Sequence, residues 1–390
     1  MVHQHHTTLV AVMAGTAVIP FIARRLRIPS AALEIVFGVL LFNFVFQTRP
    51  DWFLFIQELG FIYLMFIAGM ELDLTGIRNS GKSTWYILVS LLSFSVTPLL
   101  FILFGQSYFL GLAVAMISAG IVIPVLKELQ LDQTKLGRDI IGVALTGELL
   151  SILVLTLLDA YQLHGFTFNA VLELFWLGMM FGATLIVLKL LHLAAWWNPL
   201  RVEKVMQSED PVEEGIRMVA TVAFAGGMLA AFVGAEPILG SFLAGLVFSM
   251  VFKNKGVFEE KINAVGFGFL VPFFFVGVGA SLDIRLLASF ETVFLAVTLT
   301  LMVLVSNLYP ILLARPLQLN LREAAGMSVL LSAPLSMIVV AGTLGEKMGL
   351  IDLETTGALV LTGLLASIVY PSIFRPLGRK LMTESSTSSV

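Results

Sequence analysis

The stretch GVALTGELLSI, residues 142–152, decides how this chain is to be read. It sits inside an apolar run, Ile140 to Leu158, in which Glu148 is the one ionisable side chain. A helix rises about 1.5 Å per residue, so a helix entering near Arg138 carries Glu148 about 15 Å deep. That is the centre of a hydrocarbon layer about 30 Å thick. An acid at that depth is costly, and the usual reasons for one are an ion path, a proton relay or a buried ion pair.

Composition agrees with a lipid setting. Of 390 residues, 58% are hydrophobic and 13% charged, against about 25% charged in a soluble domain. Mean hydropathy is +0.96. The expected class is an all-α polytopic membrane protein. A net charge of -3 says little, and no nucleic-acid partner is expected. The chain has no cysteine, so disulfides and thiolate metal sites are excluded. No cofactor and no transition-metal site are expected. The sequence holds no HExxH, no GxGD and no serine–lysine or cysteine–histidine pair at depth, which argues against a membrane enzyme.

Thirteen apolar segments follow, near 7–23, 30–47, 52–70, 84–104, 108–126, 139–160, 166–192, 216–233, 236–252, 263–281, 287–314, 323–344 and 355–374. The first is as long as those after it, so no cleavable signal stands apart. With the N-terminus outside and the C-terminus cytoplasmic, all but three of the 23 basic residues fall on inner loops; Arg49, Arg285 and Lys347 are the exceptions. The positive-inside rule asks for that asymmetry; the expected location is a cell's inner (plasma) membrane. The stretch Trp197–Gly215 reads as a polar linker between halves, and the tail over 381–390 as disordered.

Two segments carry small polar residues and a proline in mid-membrane. The fifth has Ser118, Gly120 and Pro124; the twelfth has Ser332, Pro334 and Ser336. Gly120, Pro124 and Pro334 are the expected helix-break residues. Broken helices free backbone groups that ligate ions, and inward-pointing helix ends supply partial charge. The offset of seven segments makes the two run in opposite directions, as an inverted repeat requires. The same offset sets LTGELLS (145–151) against LTGLLAS (361–367), with Leu364 in the place of Glu148.

With these residues in view, the chain resembles the monovalent cation:proton antiporter superfamily, in the branch of bacterial sodium/proton antiporters and potassium-efflux antiporters. QELGFIYLMFIAGMELDL (57–74) is similar to the family's third helix and SAGIVIPVLKEL (118–129) to its first broken helix. GELLS (147–151) occupies the acidic motif, while GSFLAGLVFS (240–249) and LVPFFFVGVGASLDI (270–284) resemble its ninth and tenth helices. The resemblance implies thirteen helices in two inverted repeats with two discontinuous crossing helices. It implies scaffold helices over 1–80 and 216–285, which usually form a homodimer surface. It implies moving core helices over 81–165 and 286–380, with 166–215 linking the halves. The ion would cross by an elevator-like shift. This chain departs from electrogenic members in having Gly147 and Glu148 where they carry two acids. It has Asn307 where they carry a lysine, and SAPLS (332–336) where many relatives carry arginine–glycine.

The candidate cation and proton site is therefore Glu148, with Ser118, Thr146 and Ser151 as neighbouring ligands. Asn307, Ser332 and Ser336 are additional core candidates, although Asn307 reads first as structural and the serines as helix-packing residues. Glu34, Glu173 and Glu291 lie near segment ends within reach of the interface; Glu58, Glu71 and Asp73 read as structural. His3, His5 and His6 read as a flexible polar start. One titrating carboxylate without an intramembrane lysine implies electroneutral exchange of one proton for one Na+ or K+. A channel-like or gated efflux pathway and a transport-inactive sensor of the same fold are the alternatives. A regulatory subunit is left open.

Overall fold

The computed structural model describes residues 2–26, 28–46, 48–71, 81–164, 214–233, 237–251, 256–287 and 289–387, with 175, 179, 182 and 186 besides. Every regular element among the described residues is helical. Nine of these helices are long and apolar enough to cross a membrane, and one bent pair adds a tenth span. Shorter apolar helices over Ser30–Val45 and Pro237–Met250 match the expected second and ninth segments. The expected seventh segment and the linker fall almost wholly outside the described residues.

In chain order the helices are α1 (Val2–Leu26), α2 (Ser30–Leu40, continued by a π turn Leu41–Val45), α3 (Asp51–Glu71) and α4 (Ser83–Leu103). The first broken segment gives α5 (Tyr108–Ala115) and α6 (Ala119–Glu128); α7 (Lys135–His164) carries Glu148. Then come α8 (Glu214–Val233), α9 (Pro237–Val251), α10 (Gly256–Val265, continued by a π turn Gly266–Leu270) and α11 (Val271–Ala280). A single turn, α12 (Ile284–Leu287), precedes α13 (Phe290–Ser306), which is followed by two more, α14 (Tyr309–Leu312) and α15 (Ala314–Leu317). The second broken segment gives α16 (Leu321–Leu331) and α17 (Leu335–Lys347), and α18 (Leu353–Thr387) closes the chain.

Local chemistry explains many of the ends. Ser107, Ser118 and Ser289 cap α5, α6 and α13 by accepting N–H bonds two or three residues on. Asn320 and Glu323 form a reciprocal capping box on α16. Asp352, in the loop before α18, accepts the Thr355 N–H at 2.9 Å. The Thr355 hydroxyl, then its backbone amide, hold that carboxyl below its ordinary pKa.

Two expectations need correction. The histidines at 3, 5 and 6 lie within α1 rather than in a flexible start. The tail is helical through Thr387, because no glycine or proline after Gly378 interrupts the helix. The eleventh segment is one candidate span, Phe290–Leu312, within which the regular helix α13 stops at Ser306 with Asn307 as its C-cap. Pro310 is the reason, since it has no N–H to offer the Ser306 carbonyl. The Ser93 hydroxyl takes that carbonyl instead, at 2.8 Å.

The chain divides into two compact units. One gathers residues 1–17, 44–75 and 155–277. Inside it, Tyr63, Phe66, Ile67 and Met70 of α3 pack with Val219 and Ala223 of α8 and Ala244 and Phe248 of α9. The Ser241 hydroxyl donates to the Ile62 carbonyl at 2.8 Å, across α9 and α3. Phe61 stacks on Phe274 with ring centroids 4.4 Å apart. Since lipid tails are as apolar as these side chains, van der Waals fit and such polar links hold the helices together.

The second unit gathers 18–43, 76–154 and 278–390. Here α18 is tied to α13 by the Tyr370 hydroxyl donating to Thr300 O at 2.5 Å and by Thr362 donating to Ala296 O at 3.2 Å. Thr146 and Thr362, matched by the repeat offset, each donate to the carbonyl four residues back in their own helices. At the start of α4, the Lys82 ammonium donates to Asp139 Oδ2 at 2.6 Å and to Leu317 O at 2.8 Å. Tyr86, one turn on, donates to Asp139 Oδ1 at 2.6 Å. Asp139 thus joins α4 to α7 while Lys82 caps the carbonyl end of α15. Breaking a buried pair by removing one partner costs about 3–5 kcal/mol. Asp139→Ala is expected to lower thermal stability in detergent by a large fraction of that amount. Asp139→Asn, which keeps an acceptor for Tyr86, is expected to lose less. A melting curve for Asp139→Ala that overlays the parent's would dismiss the pair as a structural tie.

Candidate functional site

The site forms where both broken helices meet α7. In the first, Met116 and Ser118 are extended, at φ -65°, ψ 143° and φ -137°, ψ 140°. The helical ladder therefore stops at Ala115 and restarts at Ala119. In the second, α16 and α17 are bent by 42° across Ser332–Pro334. Pro334, at φ -87°, ψ 49°, stands immediately before α17. Pro334 is at the break, as expected. Pro124 is not: it lies inside α6, five residues past the start, where it withholds an N–H from the Gly120 carbonyl. Gly120 is the second residue of α6, and its N–H donates to Ser118 Oγ at 3.3 Å.

Serines satisfy the interrupted backbone. Ser151, three residues after Glu148 on α7, accepts the Ile117 N–H at 3.1 Å. Its own proton reaches the carbonyls of Gly147 at 2.8 Å and Ile117 at 3.2 Å. Ser306 shares its proton between Val303 O at 2.8 Å and Val114 O at 3.0 Å, and Ser93 lies 3.3 Å from Ala115 O. The last carbonyls of α5 thereby gain hydroxyl partners. Close approach of α7 to the break depends on Gly147, where an added Cβ would lie 2.6 Å from the Ile117 Cβ.

Glu148 is 3% exposed and accepts a hydrogen bond from Ser118 at 3.0 Å. Ser118 Oγ in turn lies 2.7 Å from Ser336 Oγ, in the first turn of α17. The carboxylate therefore sits beside the start of α6 and one hydroxyl away from the start of α17. Helix starts carry about half a positive elementary charge each. The ends of α5 and α16, at the same two breaks, carry the opposite sign.

The other candidates divide. Ser118, Ser336 and Glu148 come together in one hydrogen-bonded chain. Ser151 touches the break rather than the carboxylate. Thr146 donates to Gly142 O at 2.7 Å within its own helix. It precedes Glu148 by two residues, which places it on another helical face. Ser332 likewise donates to Ser328 O at 2.7 Å. Asn307 donates to Val303 O at 2.9 Å and Ser306 Oγ at 3.3 Å, while its buried Oδ1 has no hydrogen-bond partner among the described residues. Glu34, expected to reach the interface, is instead 4% exposed on the packed face of α2.

Reading the sequence segment by segment missed Ser93, Ser306, Lys82, Tyr86 and Asp139. One signal was available. Lys82, Tyr86, Ser90, Ser93 and Thr97 recur at helical spacing, a polar stripe on an otherwise apolar helix.

This is an all-helical, multi-pass membrane protein with two broken helices crossing beside a buried carboxylate. The family profile described as sodium/hydrogen exchanger, transmembrane, matches residues 9–380. The chain belongs to that family. It is similar to YjbQ of Bacillus subtilis strain 168, 29% identical over 413 residues, which cover 97% of this chain and 64% of YjbQ. The chain thus spans less than two thirds of that relative's length. It is 26% identical over 386 residues to a Na+/H+ antiporter of Enterococcus hirae, covering 96% of this chain and 98% of that one. The structure of the sodium proton antiporter MjNhaP1 from Methanocaldococcus jannaschii at pH 8 has the same fold. Its TM-score is 0.67 at 14% identity, over 97% of this chain and 99% of that one.

Ser151→Ala leaves the Ile117 N–H inside the membrane without its hydroxyl, at a cost of about 1–3 kcal/mol. Gly147→Ala forces Ile117 aside, at a similar cost of about 1–3 kcal/mol for overpacking. Both variants are expected to unfold earlier than the parent in a detergent melt. Parent-like melting of both would mean that the break is held by something else.

Proposed function

We propose that this protein is a secondary transporter that exchanges one monovalent cation, Na+ or K+, for one proton, with Glu148 as the shared site. The observation that carries this reading is the Glu148 carboxyl hydrogen-bonded at the crossing of the two broken helices. Charge arithmetic supports one-for-one exchange. Residues 83–104, 108–126, 140–158, 292–314, 324–345 and 355–374 contain no Asp, Glu, Lys, Arg or His other than Glu148. A site that holds either a proton or a cation is neutral in both loaded states, so transport moves no net charge. Membership of the exchanger family and the Na+/H+ antiporter among the relatives support the same substrates.

Glu148, Ser118 and Ser336 all belong to the unit of residues 18–43, 76–154 and 278–390. That supports an elevator-like mechanism in which this unit carries the ion and the other serves as scaffold and homodimer surface. The basic inner loops support insertion in the cell's inner membrane with the N-terminus outside. The protein acts as a transporter rather than an enzyme and takes no cofactor.

The test is pH-driven Na+ or K+ uptake into proteoliposomes. Glu148→Gln is expected to reduce uptake to that of empty liposomes, and an imposed membrane voltage is expected to leave parent uptake unchanged. Cation uptake retained by Glu148→Gln would remove this carboxyl from the mechanism, and voltage-driven uptake would rule out one-for-one exchange.

A further inference from the structure

A serine hydroxyl has one proton to donate and two lone pairs with which to accept. Ser118 has three polar neighbours, and they use all of that capacity. Gly120 N lies at 3.3 Å, Glu148 Oε1 at 3.0 Å and Ser336 Oγ at 2.7 Å. The amide only donates, and an ionised carboxylate only accepts. With Glu148 ionised, Ser118 therefore gives its proton to Glu148, and Ser336 gives its proton to Ser118. No lone pair is left on Ser118. Ser336 keeps both of its own, because this donation is the one hydrogen bond it makes among the described residues.

Access runs the same way. Ser118 and Glu148 are buried, Ser336 is half-buried, and Gly120 is exposed. A Cβ added at Gly120 would lie 3.5 Å from both hydroxyl oxygens and within 4 Å of nothing else. An atom placed beside Gly120 thus reaches both hydroxyls at contact distance. Oxygen lone pairs are what a dehydrating monovalent cation requires.

We propose that Ser336, supplied by the second broken helix, is the hydroxyl ligand that meets the incoming cation beside Gly120. It thereby takes part in discrimination by ion size. This assignment rests on Glu148 being the exchange site. Ser118 then holds the charged carboxylate and orients Ser336, while Ser336 coordinates the ion.

The experiment titrates Na+, K+ and Li+ against proton flux in proteoliposomes of the full chain. Ser336→Ala, Ser336→Thr and Gly120→Ala are compared with the parent and with Glu148→Gln. Ser336→Ala is expected to raise the KM for the transported cation about tenfold, the loss of one ligand to a charge, with maximal rate largely kept. Ser336→Thr, which restores the hydroxyl, is expected to bring KM back to within about threefold of the parent. Gly120→Ala adds a methyl group at contact distance without a clash, and is expected to raise KM more for K+ than for Na+. A parent-like KM in Ser336→Ala alongside an inactive Glu148→Gln overturns the Ser336 assignment and leaves the exchange site standing. An active Glu148→Gln overturns the site itself. Should Ser336→Ala not fold, Ser336→Cys decides: its sulfur is a poor ligand for a hard cation, so a raised KM sustains the assignment and a parent-like KM overturns it.

Discussion

Interrupting a helix inside a bilayer strands backbone N–H and C=O groups where neither water nor lipid can take them, and each such group costs several kcal/mol. The unit that carries Glu148 is built around meeting that constraint. Ile117 is served by Ser151 from α7, and the carbonyls at the end of α5 by Ser93 and Ser306. The solution propagates. Pro310 ends α13, the Ser306 carbonyl is released, and Ser93 takes it up. A break in one helix thus dictates hydroxyls on three others. Those hydroxyls keep α4, α5, α7 and α13 in register around the carboxylate.

The second constraint is charge. Within the apolar core segments Glu148 stands without a lysine or arginine of its own kind of depth. Its neighbours include the capping hydroxyl of Ser118 at the start of α6 and, one hydroxyl further, Ser336 at the start of α17. Gly147 belongs to the same arrangement. It is the residue that lets α7 lie against Ile117, where a Cβ would meet the Ile117 side chain.

Legibility differed sharply among the residues. Glu148 stood out because a lone acid in a long apolar run has no bland surface role available to it. The expected spans coincide with helices wherever the residues are described, because apolar length in lipid leaves the backbone little choice but to bond to itself. Proline was a poorer guide. Pro334 marks a break, whereas Pro124 sits within a helix whose start is set six residues earlier by Ser118. Serine was poorer still. Ser118, Ser151, Ser332 and Ser336 read alike along the chain, yet one holds the carboxylate and one pins a backbone. Another bonds back into its own helix, and the last reaches Ser118 from the second broken helix.

What the amino-acid order determined unaided was the class of molecule, the expected spans and the acid at mid-span, Glu148. These depend on apolar length and the cost of charge, which are properties of each segment alone. Only the tertiary structure decided which hydroxyls serve the site. A hydroxyl's role depends on the partner brought within about 3 Å of it. Those partners, Ile117 with Ser151, Ser93 with Ser306, and Ser118 with Ser336, lie 34, 213 and 218 residues apart in the chain.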